Sequence, residues 1–234
     1  VRSRRQRQMC IRDSKRNVTR AILDTEKNLQ NKKKREQKRL RDGRNHVIYY
    51  FHQVDDPYSH LCAQTLPLIA NTYDVEIKTF LVPSPTKEAA PEPDLLKSHS
   101  LEDAKIIAPH YGFTFPSVNE LPNDKIIQMA QWAFVCMENP SFEDIIKIGD
   151  LLWKNDQSSI SDLFSEPLNE EIVDTTLSRN SKLRRNFGHY LGGVFVYEGE
   201  CYLGIDRLSL LEKRLTNLGA KKDEKAKVLS LIHI

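Results

Sequence analysis

The chain has 234 residues, 39% apolar and 29% charged, with a formal net charge of +3, enough for one domain or one domain with a large insertion. No run approaches the roughly 20 apolar residues that cross a bilayer, so no membrane span is expected. Cys10, Cys62, Cys136 and Cys201 are too scattered for a disulfide framework, a zinc knuckle or a Cys-x-x-Cys dithiol, which argues against a metal site and against dithiol oxidoreductase activity.

Unpaired cysteines suit a reducing compartment, and a cytoplasmic location is expected. No charged start followed by an apolar core marks a secretory leader. The charge is unevenly spread. Residues 1–44 hold 17 Lys and Arg against 5 Asp and Glu, leaving 18 against 27 for the remainder, a basic arm on an acidic body. Both ends, Val1–Asp13 (VRSRRQRQMCIRD) and Leu229–Ile234 (LSLIHI), read as translated sequencing-adapter sequence, with the true start expected to be missing.

Residues 14–45 are read as a basic, charged arm. Val18, Ile22 and Leu29 fall near helical spacing without a stripe wide enough to dock. A solvated or frayed helix, or a disordered arm, is the preferred reading. Contact with nucleic acid or an anionic membrane surface through Lys32-Lys33-Lys34-Arg35 is the alternative, and no aromatic platform is interleaved to favour it.

Val47–Gln53 is apolar and aromatic, a buried strand. Asp56-Pro57 then opens a helix to Thr72, with Leu61, Thr65, Leu68 and Ile69 on its buried face and Pro67 expected to kink it or end its first part. Val75–Val82 alternates as a second strand. A helix joins the two, so they are expected to be parallel, a βαβ unit. Pro83–Pro93 holds four prolines and reads as a linker.

Helices are expected over Asp94–Pro109, Asn123–Glu138, Phe142–Lys154 and Leu168–Arg179, with Ser141 and Asp144 as a capping box for the third. Met129, Trp132, Ala133, Val135 and Cys136 form a stripe read as core. Gly192–Val196 and Cys201–Leu203 form a hairpin about Glu198-Gly199. Asp206 is expected to cap a last helix carrying Leu208, Leu211, Leu215 and Leu218, which Gly219 ends. The order βαβ, helices, β-hairpin, helix gives an α/β protein: a thioredoxin-like fold with a helical domain inserted after the second strand. Residues 46–84 and 187–220 form the thioredoxin-like part, and 93–186 the insertion.

Three segments then resemble one family. Tyr50–Leu61 (YFHQVDDPYSHL) is similar to a strand followed by a Ser-Pro-Tyr-Ser helix start, Leu191–Leu203 to a third and fourth strand, and Gly204-Ile205-Asp206-Arg207-Leu208 to a Gly-x-Asp-Arg-Leu helix opening. Together they resemble DsbA-like thioredoxin-fold proteins, in the branch of 2-hydroxychromene-2-carboxylate isomerases and kappa-class glutathione transferases, over about residues 46–219.

The resemblance implies a glutathione site. The glutathione thiolate would sit at the first helix N-terminus, where helix ends bind anions. Catalytic groups would be Asp56, Tyr58 and Ser59. Asp206 would hold the γ-glutamyl end, and the backbone at Gly193 and Val194 the peptide part. Asp56 stands where the isomerases carry Ser and the redox relatives their first Cys, and Gly193 where the family usually has a cis-proline. A carboxylate there opposes a thiolate.

Each residue also has a plainer role. Asp56 before Pro57 is a helix-cap pair in its own right, Asp206 likewise reads as a cap, and Cys62 as a small core side chain. His52 and His60 flank the site and read as structural or solvated, so no role is assigned. Trp132, Trp153, Phe134 and Tyr111 are candidates for the wall of a cleft. Two functions follow. One is an isomerase-like or glutathione-transferase-like enzyme, for which the resemblance implies a homodimer as in its relatives, acting on a small conjugated or aromatic substrate by glutathione addition or by proton transfer at Asp56. The other is a non-catalytic thioredoxin-fold binding protein.

Overall fold

The computed structural model describes residues 25–87, 89–116 and 120–223. The two adapter-like ends, together with Val18 and Ile22, lie outside them. The chain divides into two units, Val1–Asn45 and His46–Ile234.

In the first unit, α1 (Thr25–Arg41) is a helix of 17 residues with Lys38, Arg39 and Arg41 in its last turn, where cations suit the carbonyl end. Arg39 donates to Glu36 Oε1 at 2.6 Å and to the Arg44 carbonyl at 2.6 Å.

The second unit is built on a four-stranded sheet in the order β2-β1-β3-β4. The strands are β1 (Val47–His52), β2 (Glu76–Leu81), β3 (Val194–Tyr197) and β4 (Glu200–Leu203). β1 pairs parallel with β2, Ile48 opposite Ile77, and antiparallel with β3, Ile48 opposite Tyr197. Glu198 and Gly199, at φ 45° and 70°, form the two-residue loop that a tight hairpin needs for its twist.

Strand alternation sorts the side chains to two faces. Ile48, Tyr50, Phe195 and Tyr197 join one core with α2 (Pro57–Thr72) and the later helices. Phe51, Val194 and Val196 form a smaller one, against which Leu183 and Phe187 pack. Between β2 and β3 come α3 (Pro93–Ile107), a 3-10 turn (Ala108–Tyr111), α4 (Asp124–Cys136), α5 (Phe142–Trp153), α6 (Gln157–Ser161) and α7 (Glu170–Asn186). A second 3-10 turn (Ile205–Arg207) leads into α8 (Leu208–Asn217). Residues of α4, α5 and α7 share the larger core with α2 and the sheet, so the helices after β2 bury their apolar faces against the sheet's own cover.

Several local expectations change. α2 runs through Pro67 to Thr72 without a break; the proline removes only its own N–H from the ladder. α6 is too short to show a period. α7 starts at Glu170, capped by Asn169 accepting from Ile172 N at 3.2 Å, and runs past Arg179, because Leu183 and Phe187 cover the sheet. The Ser141–Asp144 capping box is present, each side chain bonding the other's backbone. Among the described residues no helix is long and apolar enough to cross a membrane.

Candidate functional site

β1 leaves the sheet at His52 and turns through Gln53–Asp56 into α2. Asp56 is extended, at φ −112° and ψ 114°, and its carboxylate caps the helix. Oδ1 accepts from Tyr58 N at 3.3 Å, while Oδ2 accepts from Ser59 N at 3.0 Å and from Ser59 Oγ at 2.6 Å. Ser59 is buried, so its hydroxyl braces Asp56 and does not face solvent. Burial lifts the Asp56 carboxyl to about 6. The Ser59 bonds hold it down in part, and the neighbouring Asp55 pushes it up. The side chain nonetheless keeps some exposure and lines a cavity.

Asp55 is turned elsewhere. Its carboxylate accepts from Gln53 Nε2 at 3.0 Å and from Ser84 Oγ at 2.7 Å, and pairs with Lys97 Nζ at 3.2 Å. One buried acid thus clasps the end of β1, the linker after β2 and the start of α3. Tyr58 makes a second tie to α3. Its phenol donates to Asp103 Oδ2 at 2.7 Å, and burial together with that carboxylate raises its pKa.

The cavity these residues face has a volume of about 570 Å³, within the range of small-molecule sites. Its wall takes Asp56, Pro57 and Tyr58 from the start of α2, Ser84 and Pro85 from the linker, and Leu96, Asp103 and Ile107 from α3. Tyr111, Leu191 and Gly192, and the stretch Leu203–Arg207, close the rest. Most of that wall is apolar, with a few polar groups.

Of the residues singled out from the sequence, Asp56, Tyr58 and Asp206 line this cavity together. Ser59 stands directly behind Asp56. Gly193 and Val194 are not on the wall; Leu191 and Gly192 are. The Gly193 carbonyl accepts from Gly204 N at 2.9 Å, and Val194 is buried and paired with both Phe51 and Leu203. The Val194 backbone is committed to the sheet, and Gly193 lies just before it. Gly193 takes a left-handed φ of 62°, and among the described residues no peptide bond is cis.

Asp206 is not a cap. Gly204 and a 3-10 turn precede α8, and no side chain caps that end. Asp206 is therefore exposed at the cavity, with Arg207 Nε 3.6 Å from its Oδ2.

Of the aromatic candidates only Tyr111 lines the wall. Trp132, Phe134 and Trp153 are buried in the core. His52 is buried, and burial lowers its pKa to about 3. His60 is buried on the far side of α2, with Nε2 3.1 Å from Asp150 Oδ1. Cys62 is wholly buried, and burial raises its thiol. Asp103 and the Asp55 clasp were not found from the sequence. Both depend on α3 meeting the turn into α2, and no local pattern announces a contact between residues 45 positions apart, as Tyr58 and Asp103 are.

The fold is thioredoxin-like, with helices inserted after the second strand. Among the solved structures that share it are the following two. One is a 2-hydroxychromene-2-carboxylate isomerase, at TM-score 0.51 and 15% identity over 74% of this chain and 96% of that one. The other is a probable DsbA oxidoreductase from Streptomyces coelicolor, at TM-score 0.52 and 10% identity over 78% and 93%. At such identities the likeness is one of fold. No family model and no curated protein sequence matches the chain.

Proposed function

We propose that this protein is an isomerase-type enzyme that moves a proton on a small conjugated or aromatic substrate held in the cavity, with Asp56 as the proton-moving group. The observation that carries this is the Asp56 carboxylate, raised to about 6 and facing a cavity of about 570 Å³. A base poised near neutrality both takes and returns a proton efficiently. Asp56 takes a proton from a carbon beside the conjugated system, leaving the electron pair delocalised, and returns it at another position. The bonds are rearranged with no net change in composition, so no co-reactant is required. Ser59 fixes the carboxylate.

Glutathione is the cofactor that the isomerase-like architecture suggests. Its thiolate at this helix end would face the Asp56 carboxylate and find the Ser59 hydroxyl already donated. The Gly193 carbonyl already accepts from Gly204 N, which leaves less of that backbone for the peptide part. Of the contacts the resemblance implies, Asp206 remains on the wall to meet an amino group. These contacts favour the reading in which Asp56 acts without glutathione.

The test is isotopic. Conjugated ketones and imines are incubated with the protein in deuterium oxide and followed by NMR. Exchange of a carbon-bound proton in at least one, lost in Asp56→Asn, is the expected result. A compound that binds in the cavity while no member of the set exchanges would leave the alternative, a binding protein in which Asp56 is only a helix cap.

A further inference from the structure

Three of the four hydroxyls on the cavity wall, all but that of Tyr111, have already given away their protons. Tyr58 donates to Asp103 Oδ2 at 2.7 Å, Ser84 to Asp55 Oδ2 at 2.7 Å, and Ser100 to the Leu96 carbonyl at 2.6 Å. Each is on the wall, and each has only lone pairs left for a ligand. Beside them stand the carboxylates of Asp56, Asp103 and Asp206. Their fields converge, since all three act on the Tyr58 phenol.

The cations on the wall are placed differently. Lys97 is held by Asp55 at 3.2 Å. Arg207 lies beside Asp206; the two side chains are 62% and 68% exposed, so water screens both, and the less exposed Asp56 and Asp103 carry most of the wall's charge. His110 is exposed at the rim. Inside, a ligand meets acceptors and negative charge on an otherwise apolar surface.

We propose that the cavity takes an amphiphilic cation: a primary ammonium group carried on a flat aromatic or conjugated frame. This rests on the reading of the cavity as a small-molecule site and names the chemical class of what enters it. The frame packs on Pro57, Leu96, Ile107 and Leu191. The ammonium, with three donors and no acceptor, answers the Tyr58 oxygen and the carboxylates of Asp103 and Asp206. An anion of the same shape would bring a like charge to three carboxylates, with the Tyr111 phenol as the one uncommitted hydroxyl on the described wall to receive it.

Three probes on one frame test this by calorimetric titration into the full chain at pH 7.5 and low salt: 2-naphthylmethylammonium, 2-naphthalenemethanol and 2-naphthoate. The ammonium is expected to bind about tenfold or more tightly than the other two, a preference that salt reduces. Asp206→Asn, which removes an exposed and screened carboxylate, is expected to weaken the ammonium about two- to fivefold and to leave the alcohol unchanged. Asp206 is exposed and caps no helix, so this variant keeps the fold.

Naphthoate binding as tightly as the ammonium would overturn the proposal and leave the cavity reading standing, with Arg207 and His110 selecting an anion. Equal binding of alcohol and ammonium would also overturn it, because charge would not be read. If none of the three binds, the small-molecule site itself fails.

Discussion

Ser59 reaches Asp56 Oδ2 twice, through its backbone N–H at 3.0 Å and its hydroxyl at 2.6 Å. One residue therefore both receives the helix cap and holds the capping carboxylate in place. Removing the hydroxyl leaves the cap but takes away a donor that stabilises the charged form. Ser59→Ala is expected to raise the Asp56 pKa above its present value of about 6, and to lower stability by about 1 kcal/mol. Carboxyl-carbon NMR titration reads the first effect. An unmoved or lowered value would mean that Ser59 does not tune the site.

The raised Asp56 pKa also sets a sign for stability against pH. The folded state holds this proton up to about 6 and the unfolded chain only to about 4. Wild-type stability therefore loses this contribution as pH rises through that window, and the loss persists above it. Asparagine caps as well as aspartate and does not titrate. Asp56→Asn should thus gain on the wild type by about 1–2 kcal/mol between pH 4 and pH 7, reduced for the partial exposure of the group. His52, held near 3 by burial, has the opposite pH dependence but is common to both proteins and cancels. Urea denaturation at several pH values measures the difference, and a gap that narrows with pH would contradict the assignment.

Gly149 of α5 admits the His60 ring. A Cβ there would lie 2.2 Å from His60 Nδ1, closer than any contact allows. Gly149→Ala is expected to cost about 1–3 kcal/mol. In a His60→Ala background the obstructing ring is gone, and the added methyl should cost little. A double-mutant cycle measures that coupling directly. Full additivity would place His60 elsewhere.

The Asp55 clasp fixes the approach to the cavity. Asp55→Ala leaves Gln53, Ser84 and Lys97 without the acceptor they share. Loss of this buried acceptor is expected to cost about 2–4 kcal/mol. Amide exchange should quicken in α3 and the linker after β2, while α5, which Asp55 does not touch, keeps its protection. Uniform quickening across the unit would mean that the clasp has no local role.

Glutathione distinguishes the two chemistries considered for the helix end. The native protein is expected to bind it weakly in a calorimetric titration. Asp56→Ser should bind it more tightly, about tenfold for each 1.4 kcal/mol of repulsion removed. Tight binding by the native protein, weakened by Asp206→Ala, would restore the cofactor role that the resemblance implies for Asp206.

Much of the frame was legible because its signals are local. The aromatic run Val47–His52, the cap pair Asp56-Pro57, the proline-rich break after β2 and the Glu198-Gly199 turn each act within a few residues. What was missed is long-range or hidden by composition. α7 carries so many charged residues that only contact with the sheet reveals that Leu183 and Phe187 extend it. Asp206 reads as a cap until Gly204, at φ 74°, inserts a 3-10 turn ahead of the helix. The resemblance assigned backbone contacts to Gly193 and Val194, but the cavity surface falls two residues earlier. Gly192 lies so tight on Gln53 and Ser59, where a Cβ would come within 2.6 Å of both, that the chain turns away from the cavity immediately after it. Asp103 belongs to the site only because α3 folds over α2.

The sheet order has a consequence for how the molecule is made. β1 is an inner strand, and its two neighbours lie at very different distances along the chain. Ile77 follows Ile48 by about 30 residues, and Tyr197 by about 150. During synthesis β1 and β2 can pair early, but the other edge of β1 stays open until the last fifth of the chain emerges. Closing so distant a pairing is slow, and an unpaired inner strand of Val-Ile-Tyr-Tyr-Phe-His is a template for the wrong partner. Refolding yield should therefore fall steeply with protein concentration, and a chain cut before β3 should aggregate rather than persist as a half-domain.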